Sequence, residues 1–297
     1  MNIPVYNNHN DINKKHVYSE FYDKYGCMIL KNVFEEKTMD KYNSWCENWM
    51  EEAMKDKNCR HPKQENKILI NNVIGRMSKD NPELLTQLIG NEILNTYVDS
   101  LLGLGKIGAC TTHWLEPGGK RQKSHVDYPL HVGSGKFWEN DPSKVQKIIT
   151  KHQLEQIMPY FSVQVLIASD KMDVTNGSTE MIPGSHLWSG IDVDIHKPEI
   201  YESLEDKFIN ASLEKGDVLI FCRRLCHRGG ENISSKRRNS LIIQYVWSWG
   251  VGQEIMEKGV FQKLQSTYQY GYLSEEHQQL LKLRLEFPYP RDVSEST

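Results

Sequence analysis

Gln122-Lys123-Ser124-His125-Val126-Asp127-Tyr128 sets an imidazole and a carboxylate two residues apart in a segment of strand length. Side chains at i and i+2 of a strand share a face, so this spacing presents His125 and Asp127 side by side to one space. Outward from this stretch, the sequence from Lys106 onward keeps one texture: short apolar runs separated by Gly, Pro and Asn. The runs Ile107–Leu115, Gln122–Tyr128, Ser162–Ala168, Ser178–Ile182, Val218–Phe221 and Ser240–Trp249 predict strands, with Lys215-Gly216-Asp217 as a tight turn. Many short strands at regular spacing predict a double-sheet jelly roll, a double-stranded β-helix of the cupin type. One interruption falls at residues 141–158. Asp141-Pro142 is a helix start, and Val145, Ile148, Ile149 and Leu154 recur as one stripe, which predicts a helical lid over the pocket.

The first hundred residues read differently. Met39, Tyr42, Trp45, Cys46, Trp49, Met50 and Ala53 recur at three- and four-residue spacing, the signature of one amphipathic helical face. Asn81-Pro82 opens a second helix with Leu84, Leu85, Leu88 and Ile89 inward. Asn91 opens a third that carries Ile93, Leu94, Tyr97, Val98, Leu101 and Leu102 and ends at Gly103. The class is therefore α+β, a jelly roll braced by N-terminal helices. The boundaries that follow are one domain over 1–297, with helical support over 1–105, the jelly-roll core over 106–250, and a helical extension over 251–297.

Composition excludes several alternatives. At 38% hydrophobic and 25% charged, with no apolar run near 18 residues, the chain predicts no membrane span. A net charge of -3 gives no electrostatic reason to expect nucleic acid as a partner. The polar start lacks a secretory signal, and six cysteines without a CxxC pair suit a reduced compartment, so a cytoplasmic location is expected. Oligomeric state is not written in the sequence.

A His-x-Asp pair is weak evidence alone among 297 residues with 11 histidines, and His9-Asn10-Asp11 repeats it in a polar segment expected to be solvated. Context decides. A further histidine from a distant strand, His227, completes a two-histidine, one-carboxylate facial triad, which leaves coordination positions open as iron(II) oxygenases require. Cys222 and Cys226 beside His227 suggest zinc instead, but a second ligand pair is lacking. Downstream, Arg238 opens an otherwise apolar strand, with Ser240 on the same face. A buried arginine fork suits the distal carboxylate of a 2-oxoglutarate co-substrate.

Asn176-Gly177, then Met181-Ile182-Pro183-Gly184-Ser185-His186, and then His227 with its Gly-Gly-x-Asn-x-Ser tail resemble the signature of the phytanoyl-CoA dioxygenase family over about Lys106 to Trp249. The resemblance implies His125, Asp127 and His227 as Fe(II) ligands, Arg238 as the 2-oxoglutarate anchor, and O2 as the second co-substrate. It also implies Ser240, Thr112, Trp114 and Gln164 as further co-substrate contacts, and His186 as part of a structural turn rather than a ligand. The implied chemistry is oxidation of an unactivated C–H bond, with release of succinate and CO2. Hydroxylation, desaturation and ring closure share the same site. Family halogenases replace the carboxylate ligand by a small residue, so Asp127 disfavours halogenation.

Tyr128, His131 and Trp138 follow the His-x-Asp pair and are expected to line the mouth with Arg121 and Arg223. Lys120, Arg121, Lys123, Lys136, Arg223, Arg224 and Arg228 lie close in sequence to a metal ligand, which favours a small anionic, carboxylate-bearing substrate. An acyl-CoA, an oxidative-cyclase substrate of specialised metabolism, and a protein side chain are the alternatives within this chemistry. A cupin-type isomerase or hydrolase is the alternative outside it, but such a protein has no use for the Arg238–Ser240 pair.

Overall fold

The computed structural model describes residues 2–10, 12–55, 59, 66–70, 73–127, 160–188 and 203–247. Its backbone is a seven-stranded sheet in the order β1-β2-β8-β5-β10-β4-β3, with a three-stranded sheet in the order β7-β6-β9. The strands of the large sheet are β1 (Val5–Tyr6), β2 (Cys27–Leu30), β3 (Lys67–Ile70), β4 (Gly105–Leu115), β5 (Ser162–Ile167), β8 (Val218–Cys222) and β10 (Arg238–Trp247). Those of the small sheet are β6 (Thr179–Met181), β7 (Ile209–Asn210) and β9 (His227–Gly229). All pairings are antiparallel except β1 with β2. The two sheets stay separate ladders among the described residues, so the jelly roll is two-layered rather than a closed barrel. No helix among these residues is long and apolar enough to cross a membrane.

The helices form where the sequence predicts them. The long helix α2 (Glu36–Lys55) buries Met39, Tyr42, Trp45, Cys46, Met50 and Ala53. In α4 (Pro82–Ile89) the Asn81 side chain accepts from the Leu84 amide and proline takes the first turn, where its missing N–H costs nothing. Asn91 caps α5 (Glu92–Leu102) in the same way, through Leu94. Two further helices complete the set, α1 (Lys14–Glu20) and α3 (Val73–Asp80). The helical reading of this region nevertheless missed three strands, since β1, β2 and β3 all join the large sheet. His9 is also not solvated as expected. Its Nε2 lies 2.8 Å from the Lys31 carbonyl and its ring meets Tyr97 edge-on.

Alternation along the strands, broken by a register shift between β4 and β10 at Gln244/Tyr245, divides the large sheet into two faces. Ile68, Cys110, Trp114, Val163, Val165, Ile220, Leu241, Ile243 and Tyr245 pack with the helices into one core. The opposite face carries Leu166, Leu219 and Phe221 into a second core with Met172, Met181, Ala211 and Leu213 near the small sheet. The same face carries the polar residues that line the site.

The residues expected to form a lid and a C-terminal extension, 141–158 and 251–297, lie outside the described residues. So do Tyr128, His131, Lys136 and Trp138.

Candidate metal centre and co-substrate pocket

The strand expected over Gln122–Tyr128 does not form among the described residues; the segment meets β9 at a single bridge, closed by His125 N to His227 O and His227 N to His125 O, both 3.0 Å. Gln122 tightens the same seam, since its amide donates to Gly229 O at 2.9 Å and its Oε1 accepts from Gly229 N at 2.7 Å. The distant histidine is thus brought directly opposite the near one. Ligand atoms of His125, Asp127 and His227 all lie within 4.8 Å of one another.

Each imidazole is already oriented. His125 Nδ1 lies 2.9 Å from the Lys123 carbonyl and His227 Nδ1 lies 2.9 Å from the Leu225 carbonyl. A carbonyl oxygen only accepts, so Nδ1 carries the proton in both rings and Nε2 is the nitrogen whose lone pair could meet a metal. The carboxylate is divided likewise. Asp127 Oδ2 accepts from Gln164 Nε2 at 3.1 Å, while Oδ1 faces His227 Nε2 at 3.9 Å. Burial raises the cost of the Asp127 charge, but His227, Arg223 and His125 together outweigh it and lower its pKa to about 2. Two imidazole nitrogens and one carboxylate oxygen at this separation could hold a divalent metal and leave coordination positions open.

The triad opens into a cavity of about 220 Å³. Arg238, Ser240, Ile242 and Gln244 of β10 line it, with Ala109, Thr111 and His113 of β4 and Gln164 and Leu166 of β5. Arg238 is 5% exposed and fixed on three sides. Its Nη1 donates to Ser240 Oγ at 3.0 Å, and Nε and Nη2 donate to the Asn176 and Gly177 carbonyls. Those carbonyls belong to the Asn-Gly turn. Gly177 sits at φ +83, and a Cβ there would lie 3.0 Å from the Gly230 carbonyl, so glycine is required. Burial lowers the Arg238 pKa to about 10, which still leaves it charged at neutral pH.

Gln164 and Arg223 reach the cavity as the sequence predicts, but Thr112 and Trp114 do not. Both point to the helical side: Thr112 bonds the Tyr42 hydroxyl and Trp114 is 1% exposed in the core. The cavity takes their neighbours Thr111 and His113 instead, because one step along a strand exchanges the faces. Arg121 is spent elsewhere, 3.3 Å from Glu180 and 3.5 Å from Glu205. Arg228 is held by Glu180 and Glu205, Lys120 pairs with Glu231, and Lys123 is exposed. Arg224 donates to the carbonyls of His186 and Trp188 in the Pro-Gly-Ser-His turn. His186 is fully buried with Nε2 on the Tyr22 carbonyl, which fits its structural role. Cys222 and Cys226 belong to separate buried clusters, and burial raises both thiols to about 12, so neither is poised as a zinc ligand.

Sequence reasoning missed Lys67 and Gln244. Lys67 opens β3 and enters the cavity from the strand beside β4. Burial and the nearby Arg238 lower its pKa to about 7, against a smaller pull from Asp127.

Residues 22–240 match the family described as phytanoyl-CoA dioxygenase (PhyH). The chain belongs to that family. Among curated relatives, a dioxygenase named cdmD from Talaromyces verruculosus is 32% identical over 43% of this chain and 35% of its own length. An iron/alpha-ketoglutarate-dependent dioxygenase, ausU from Aspergillus calidoustus, is 34% identical over 25% of this chain and 22% of its own length. The chain thus spans well under half the length of these relatives. In fold it resembles SnoK, a non-heme alpha ketoglutarate dependent carbocyclase from nogalamycin biosynthesis, with a TM-score of 0.60 and 16% identity over 86% of this chain and 92% of that one. The epimerase SnoN from the same biosynthesis gives a TM-score of 0.57 at 13% identity, over 80% of this chain and 84% of that one.

Proposed function

We propose that this member of the family is a non-haem Fe(II)/2-oxoglutarate-dependent dioxygenase that oxidises an unactivated C–H bond of a small anionic metabolite. The observation that carries the reading is the orientation of the triad. Both Nδ1 atoms are committed to backbone carbonyls and one Asp127 oxygen to Gln164, and the three side chains bring their ligand atoms within 4.8 Å of one another. A bound Fe(II) would supply oxygen activation coupled to loss of CO2 from 2-oxoglutarate; ausU is named an iron/alpha-ketoglutarate-dependent dioxygenase and SnoK a non-heme alpha ketoglutarate dependent carbocyclase.

The chain's own residues supply position and charge. Arg238, pinned by Ser240 and the Asn176-Gly177 turn, presents a fixed cation to the distal carboxylate of 2-oxoglutarate, and Lys67 adds a second positive group at the same end. The apolar walls Leu166, Phe221 and Ile242 exclude water from the reacting carbon. The pinned arginine also counts against a cupin isomerase or hydrolase, whose chemistry gives it nothing to bind.

The test is a panel of carboxylates, amino acids, acyl-CoAs and peptides scored by succinate formation from the Fe(II)-loaded protein. A small acid that raises succinate release together with its own oxidised product is the expected result. His125→Ala should abolish both and lose Fe(II) on dialysis. Full iron retention by that variant would remove the triad assignment.

A further inference from the structure

The cavity has a second polar end. Directly paired residues of an antiparallel sheet share a face, so register orders the lining. Ala109, Gln244, Gln164 and Phe221 form one row across β4, β10, β5 and β8. Arg238 and Gln244 lie six residues apart on β10, roughly 20 Å along the strand. Arg223 follows β8 directly, two residues past Phe221 of that row, and lines the same cavity. Its position is fixed, since its own carbonyl accepts from the Asp127 amide at 2.8 Å.

This end contains buried polar atoms with no hydrogen-bond partner: Arg223 Nε and Nη1, Gln244 Nε2 and Gln164 Oε1. Arg223 is 7% exposed and Gln244 is 3% exposed. Arg223 Nε stands 3.6 Å from Asp127 Oδ2, close enough for attraction but too far for a bond, while that oxygen already accepts from Gln164. Buried donors left unmade are costly, and several converging on one cavity point to a ligand that satisfies them.

Charge points the same way. Fe(II) and the dianion of 2-oxoglutarate cancel, and Asp127 offsets one of the two cavity arginines. One guanidinium is left over, whatever the state of Lys67.

We propose that Arg223, Gln244 and Gln164 form the recognition site for a carboxylate of the primary substrate, at the end of the cavity opposite Arg238. This deepens the oxygenase reading and rests on it. The Arg223 and Gln244 N–H groups donate to the carboxylate. Gln164 Oε1 accepts from an N–H or O–H adjacent to it, as an amino acid, N-acyl amino acid or hydroxy acid provides. Gln164 joins the two jobs, because its amide nitrogen holds the metal-binding carboxylate while its oxygen faces the substrate.

The test uses the whole chain loaded with Mn(II) and saturated with the 2-oxoglutarate analogue N-oxalylglycine. Acetate, N-acetylglycine and N-acetylalanine are then titrated against their primary amides, with binding read from paramagnetic relaxation of the probe protons. Wild type should bind each carboxylate at least tenfold tighter than its amide, with N-acetylglycine above acetate. Arg223→Met should abolish that preference, Arg223→Lys should restore part of it, and Gln244→Leu should weaken it severalfold. N-oxalylglycine affinity should stay within threefold in all three variants, which also reports that they are folded. Equal binding of acids and amides by wild type would overturn the proposal, as would a preference that survives in Arg223→Met. A tenfold loss of Mn(II) affinity in Arg223→Met with carboxylate binding intact would also overturn it, by making Arg223 a support for Asp127 alone. Failure of wild type to bind N-oxalylglycine would instead sink the oxygenase reading, and this inference with it.

Discussion

Lys67 opens β3 and faces the cavity while only 8% exposed. Its burial makes a two-sided prediction. A lysine whose folded pKa lies near 7, against about 10.4 when unfolded, is bound by more protons in the unfolded state between those values. Apo stability should therefore rise with pH from about 7 towards 10, with the full penalty present below 7. Lys67→Met should remove that slope and raise the thermal midpoint at pH 7, while weakening 2-oxoglutarate by roughly tenfold through loss of a charged partner. Differential scanning fluorimetry across pH, with a 2-oxoglutarate titration at pH 6.5, checks both halves. A variant less stable than wild type at pH 7 would show that the ammonium is well solvated. The meeting of His125, Asp127 and His227, and the place of Arg238 on the same cavity wall, were legible because order, spacing and accompanying turns constrain one another. The place of Lys67 was not, since nothing in Lys-Ile-Leu-Ile says which strand it pairs with or which face its ammonium takes.

At the scale of the element, β4 carries the most instructive error. Thr112 and Trp114 were placed in the pocket, and the strand turns them to the helices. Sequence alternation on β4 is ambiguous because both faces are largely apolar or small. The pairing with β10 shifts at Gln244/Tyr245, so a count from either end of the strand disagrees with the other. The short strands β1 to β3 escaped notice for a related reason. Two to four residues among strong helical periodicities carry too little pattern to show. The corrected register predicts a separation of roles. Trp114→Phe should lower stability by about 1–3 kcal/mol through loss of core packing and leave 2-oxoglutarate affinity unchanged. Ser240→Ala should do the reverse, weakening 2-oxoglutarate by about tenfold with little change in the thermal midpoint, because it frees the Arg238 fork. Isothermal titration paired with thermal melts distinguishes them. Coupled losses in Trp114→Phe would put its indole back in the site.

For the whole molecule, the question is whether the N-terminal helices merely brace a sheet that stands without them. The core says otherwise. Met39, Tyr42 and Trp45 of α2, Leu84 and Leu88 of α4, and Tyr97 and Val98 of α5 share one buried cluster with Val163, Val165, Ile220, Ile243 and Tyr245 of the sheet. The Tyr42 hydroxyl further bonds Thr112 of β4 from within that cluster. Stripped of the helices, the sheet would expose this whole apolar face. Helices and sheet should therefore unfold together. Met39→Ala, a fully buried position on α2, should cost about 2–5 kcal/mol, the sum of lost transfer energy and residual cavity. In a urea titration, helical circular dichroism, tryptophan fluorescence and retention of a metal at the triad should all shift by the same amount and stay coincident. If α2 were only a brace, the helical signal would melt first in Met39→Ala while the metal stayed bound. A gap between those two midpoints would show that the site does not depend on the helices packed behind it.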